Sequence, residues 1–139
     1  MTARALAAVA LGVVLACGGC VRYASVTDAG GTMVRPDRGR VVVQGESAAV
    51  YFDLKSTGKF GDVITAVHTP VARQARLVDG RGAPLERLQV PGASVVKFTA
   101  TGPHVVLSEL TRPLLLGDTI IVTLVLEKIG GLGVIATVE

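Results

Sequence analysis

Asp118-Thr119-Ile120-Ile121-Val122-Thr123-Leu124-Val125-Leu126-Glu127-Lys128 is the stretch whose reading decides the fold. It sits inside an apolar segment from Leu114 to Val138, long enough for a membrane helix, which needs about 20 residues. Two features argue against a helix. Gly117-Asp118 and Glu127-Lys128 interrupt the segment, and it is rich in β-branched side chains, which favour strands. As a strand, Ile120, Val122, Leu124 and Leu126 share one face and Ile121, Thr123, Val125 and Glu127 the other. Both faces are largely apolar, so a central strand covered on both sides is expected. Gly130-Gly131 then supplies a tight turn, and Leu132 to Val138 returns as the hairpin partner.

Moving outward, Ala48 to Ser56 alternates: Val50, Phe52 and Leu54 face a core, while Tyr51, Asp53 and Lys55 face outward. Further strands are expected at Val26–Asp28, Arg40–Gln44, Asp62–Thr69, Gln74–Asp79, Leu85–Val90, Ser94–Thr99 and His104–Leu110. Gly and Pro mark the breaks, as at Gly58, Pro91-Gly92 and Gly102-Pro103. No segment after the N-terminal apolar run keeps a helical period. The spacing predicts an all-β sandwich or barrel of about 8–9 strands.

The N-terminus sets the compartment. Arg4 precedes an apolar run from Ala5 to Ala16, which suits a signal-peptide core and is too short to span a bilayer. Val14-Leu15-Ala16-Cys17 has the pattern of a bacterial lipobox. Residues 1–16 read as a lipoprotein signal peptide, 17–23 as a lipidated tether and 24–139 as the β domain. Cys17 is the expected lipidation site, and Cys20 the alternative, although Cys17 at its minus-three position fits poorly. The expected location is extracytoplasmic, on the outer face of the cytoplasmic membrane, with the lipid anchor as the membrane contact. A lipidated Cys17 leaves Cys20 without an intrachain disulfide partner.

The net charge of +3 leaves no basic surface of the kind nucleic acids need, so no nucleic-acid partner is expected. Catalytic signatures are also missing. There is no paired-carboxylate spacing, no G-x-S-x-G, no H-E-x-x-H and no Cys-His pair. Ser56-Thr57-Gly58-Lys59 lacks the glycine pattern of a phosphate loop. Asp118 reads as a turn residue before the strand, and Arg112 as a salt-bridge residue at the strand end, with a partner-binding contact the alternative. The chain reads as non-enzymatic.

Three segments carry a resemblance. Tyr51-Phe52-Asp53-Leu54-Lys55-Ser56-Thr57-Gly58 resembles the opening of the PCuAC periplasmic copper chaperones. Thr111-Arg112-Pro113-Leu114-Leu115-Leu116-Gly117-Asp118-Thr119 is similar to their R-P-L-x-x-G-D turn, and Val122-Thr123-Leu124-Val125-Leu126-Glu127-Lys128 to the strand that follows it. The resemblance implies a Greek-key cupredoxin-like barrel, copper as the bound metal, and a copper-acceptor or other envelope protein as partner. It also implies Cu(I) capture by His and Met, whose soft donors suit that ion. His104 matches the second histidine of the family pattern. Val106 stands where the methionine two residues later would be, and Val78 where the first histidine would be. The methionine segment is shortened to Gly80-Arg81-Gly82-Ala83-Pro84-Leu85. His104 is therefore the one matching ligand, and His68 and Met33 are the other candidates for a rearranged metal site. Two readings follow: an accessory binding module of the cell envelope, and a copper chaperone working through that rearranged site.

Overall fold

A computed structural model describes residues 32–139. The expected signal peptide, the tether, Cys17, Cys20 and the strand at Val26–Asp28 lie outside the described residues. All regular structure within them is strand: β1 Val34–Gln44, β2 Ser47–Ser56, β3 Asp62–His68, β4 Ala72–Val78, β5 Leu88–Val90, β6 Ser94–Phe98, β7 His104–Leu110, β8 Thr119–Leu126 and β9 Gly130–Val138. Among the described residues no helix is long and apolar enough to cross a membrane.

The nine strands form one curled sheet in the order β4-β7-β2-β1-β9-β8-β3-β5, with β6 paired to β2 off this path. Neighbours are antiparallel except β1 and β9, which run parallel. The connections from β2 to β3, β3 to β4 and β7 to β8 cross over several strands, as Greek-key topology requires. The curl brings β3 and β4 near each other without pairing them, so the sheet is a half-barrel with a seam there.

The register fixes two ends. One end, where the described chain begins, holds Val34, Ser56, Asp62, Val90, Ser94, Leu126 and Gly130. The other holds the β1–β2 turn, Leu110, Ala72 and Thr119.

The inward face forms one core. Val41, Val50, Phe52, Leu54, Ile64, Leu107, Leu124 and Leu126 are essentially sealed from solvent. Phe52 and Phe98 stack with ring centroids 4.2 Å apart and planes 19° from parallel, a contact that adds to their burial. Every strand and the whole core lie between residues 34 and 138, so a chain starting at residue 17 contains the complete described fold.

Three expectations need correction. β8 does lie between β9 and β3, but its outward face is not covered: Ile121 is 52% exposed, beside its cross-strand partner Ile135 at 65%. No second layer packs on that side, because a half-barrel has only one interior. The strand expected at Arg40–Gln44 begins at Val34 instead. It runs through a bulge between Asp37 and Arg40, where Arg38 takes a left-handed φ of 55°. The strand expected at Leu85–Val90 shrinks to Leu88–Val90. Before it, a tight loop in which the Asp79 carboxylate accepts the N–H groups of Arg81 and Ala83 at 2.8 and 3.0 Å turns the chain back, so that Pro84 bridges to Val78 and the Leu85 N–H donates to the Leu77 carbonyl at 2.7 Å on β4.

Candidate functional site

Val50, Phe52, Val105 and Leu107 point into the core, so the residues between them point outward. The register places Arg40 opposite Tyr51, and Val78 opposite His104. Since Val50 pairs with Val105, Tyr51 and His104 fall side by side. The result is a row, Arg40–Tyr51–His104–Val78, across the outer face of β1, β2, β7 and β4.

The row is packed as well as aligned. The Tyr51 and His104 rings lie 5.6 Å apart at 53°, and the Arg40 guanidinium sits 5.1 Å from the Tyr51 ring, within cation–π range. Glu139 holds the other side of Arg40 at 3.7 Å. Tyr51, read from sequence as an outward residue, is only 7% exposed because these neighbours cover it.

His104 is half-buried. Its Nδ1 lies 3.0 Å from the Gly102 carbonyl oxygen. A carbonyl can only accept, so Nδ1 is the donor here, and in the neutral ring the lone pair lies on Nε2. Around it, Val78 is 4% exposed and Val106 is half-buried, with Arg76 across the ladder from Val106. Two of the four places in the expected His/Met pattern are thus aliphatic and inert toward metals.

The other candidates stand elsewhere. His68 ends β3, exposed, and lines a cleft of about 320 Å³ at the β3–β4 seam with Ala75, Arg76 and Leu85. Met33 precedes β1, is 40% exposed, and accepts the Thr57 N–H at 2.9 Å through its carbonyl. The fold therefore spreads His104, His68 and Met33 over the outer face, the seam and one end. Among the described residues no three His, Cys, Asp or Glu side chains converge on a point where a metal ion could sit.

Two acidic residues shape the surface. Asp118 accepts the Leu115 N–H at 2.8 Å and the Arg112 guanidinium at 3.2 Å, which gives the expected turn residue and the expected Arg112 salt bridge each its partner. The backbone N–H first, then Arg112, holds its carboxyl below the usual range. Asp37 is likewise held low, mainly by its hydrogen bond from Lys55 at 2.9 Å.

One residue that sequence reasoning passed over is Asp62. It is 3% exposed, and its carboxylate accepts the N–H groups of Val63, Lys128 and Ile129 at 2.8, 2.9 and 3.0 Å. It closes the β8–β9 turn from the start of β3. Nothing local in Phe60-Gly61-Asp62-Val63 signals this, because two of its partners lie more than sixty residues away.

Comparison with known proteins adds the following. The family model described as "Putative lipoprotein LpqE-like" matches residues 24–138. No curated protein sequence matches the chain. The fold is similar to the copper-bound PCuAC domain from PmoF2, with TM-score 0.68 and 23% identity over 76% of this chain and 92% of that one. It is similar to the apo PCuAC domain from PmoF1, with TM-score 0.67 and 22% identity over 76% and 92%. It is also similar to CuI-DR1885 from Deinococcus radiodurans, with TM-score 0.62 and 25% identity over 73% and 75%.

Proposed function

The chain belongs to the LpqE-like family, and from that membership we propose that it is an extracytoplasmic lipoprotein, anchored through Cys17, whose PCuAC-like domain is a non-enzymatic accessory module of the cell envelope. The supporting observation is Val78. It is buried and aliphatic, directly across from His104, where the related pattern would place a second imidazole. A lone imidazole next to valines makes a weak metal site, since Cu(I) needs further soft donors.

A second reading keeps copper as cargo. The solved relatives include copper-bound PCuAC domains, and His104 offers a free Nε2 lone pair held in place by the Gly102 carbonyl. His68 and Met33 would then have to reach it through a rearrangement, or a partner protein would supply the missing ligands.

A Cu(I) competition titration of the chain from residue 17, repeated on His104→Ala, separates the two. The accessory reading expects binding no tighter than an ordinary surface histidine gives. Tight stoichiometric binding that His104→Ala abolishes would replace it with the chaperone reading. The anchor is tested separately by lipid labelling. Cys17→Ser is expected to lose the label and leave the membrane fraction, and a variant that stays labelled and membrane-bound removes Cys17 as the anchor.

A further inference from the structure

The end of the half-barrel where the described chain begins carries an unusual surface. Phe60, in the β2–β3 loop, is 54% exposed. Two ammonium groups flank its ring: Lys59 Nζ at 5.6 Å and Lys128 Nζ at 5.8 Å from the centroid. Ile129 on the β8–β9 turn is 37% exposed, Met33 40% and Val95 52%.

These loops form one platform. Gly92 packs against the Lys59 carbonyl so closely that a Cβ there would lie 2.3 Å from its oxygen. The Ala93 N–H donates to the Gly58 carbonyl at 2.9 Å. Asp62 ties Lys128 and Ile129 to the start of β3.

Among the described residues neither Lys59 nor Lys128 is in an ion pair; Asp62, the carboxylate within this end, is buried and taken up by backbone N–H groups, and Glu127 and Asp37 are taken by Arg87 and Lys55. The platform therefore combines exposed apolar side chains with two ammonium groups that no acidic side chain pairs at its surface, the combination that suits an anionic bilayer surface. The chain also enters the fold at this end. Residues 17–31 reach at most about 50 Å when fully extended, so an anchor at Cys17 keeps the platform close to lipid, and a weak surface affinity is enough to hold it there. The opposite end, which exposes Leu115 and Leu116, carries Glu46 and Glu109 and lies away from the tether.

We propose that this end is a membrane-docking surface: Phe60 and Ile129 enter the interface of an anionic bilayer while Lys59 and Lys128 meet its headgroups. The orientation rests on the anchor reading above; the test does not. Tryptophan is absent from the sequence, so Phe60→Trp provides a single fluorescent probe that itself favours the interface. It is placed in a chain from residue 17 that carries Cys17→Ser and so has no lipid.

Vesicles of phosphatidylglycerol and phosphatidylcholine are expected to shift the emission to the blue. Brominated acyl chains should quench it, and added salt should reverse the effect. Lys59→Glu with Lys128→Glu is expected to weaken partitioning by at least about tenfold, with circular dichroism unchanged. Two results would overturn the proposal: emission that stays that of a water-exposed tryptophan at saturating lipid, or partitioning that the double variant leaves intact. Failure of lipid labelling on the wild-type chain would sink the anchor and leave this readout standing.

Discussion

Asp62 gathers three N–H groups in a nearly sealed site. A buried carboxylate is tolerable there because its lone pairs are met by donors. Asp62→Ala leaves those amides without a partner and is expected to cost about 3 kcal/mol, read as a lower urea midpoint at unchanged slope. Asp62→Asn retains one acceptor oxygen and should fall between. Asp118 gives a pH signature. Its folded carboxyl is held low by the Leu115 N–H and Arg112, so the stability it contributes is fully present above the ordinary carboxylate value of about 3.9. That contribution is lost as pH falls through the depressed folded value. Thermal melts are therefore expected to drop less steeply in acid for Asp118→Asn than for the parent. That Asp118 sits in a turn and that Arg112 forms a salt bridge was legible from one short motif, although their pairing with each other was not. The Asp62 site was not, because its donors are brought in by a different hairpin.

Elements were legible where alternation was clean. β2, β6 and β7 lie where the pattern put them, because a core on one side and solvent on the other writes the period of two into the sequence. β1 was harder. Arg35-Pro36-Asp37-Arg38 has no alternation, yet it pairs with β2 as far as Ser56. The bulge resets the register between Asp37 and Arg40, and Gly39 lets β1 close onto β9. A Cβ at Gly39 would lie 2.1 Å from the Ile135 carbonyl oxygen, and no side-chain motion relieves a clash with backbone. Gly39→Ala is expected to destabilise by about 2 kcal/mol or more and to speed hydrogen exchange along the parallel β1–β9 pair first, as judged by amide exchange mass spectrometry. β8 shows the reverse difficulty. Its apolar outward residues suggested a second covering layer, but Ile121 is bare because the sheet curls around a single interior.

At the scale of the whole molecule, the half-barrel sorts the surface into two ends and a row. The tether end presents Phe60 between two lysines, the far end presents Leu115 and Leu116, and His104 lies partway between on the outer face. Docking by the tether end would aim the far end outward, free to meet a partner. With Cys17 and Cys20 replaced by serine, Leu116→Cys is expected to react equally fast with a water-soluble maleimide in the presence and absence of anionic vesicles. Phe60→Cys in the same background is expected to be shielded by them. Equal protection of both positions would mean that the domain has no fixed orientation on the bilayer.

From the sequence by itself came the all-β class, the main strands and the copper-chaperone likeness, because alternation, turn residues and short motifs are local and survive being read in one dimension. Where the ligand candidates fall was decided only by tertiary structure. Three residues named for one chemistry are held on separate parts of the sheet, while Tyr51, His104 and Val78 become neighbours through pairing of distant strands. The charged platform at the tether end is likewise invisible in one dimension: its loops lie far apart along the chain and meet only because three turns close the same end of the sheet.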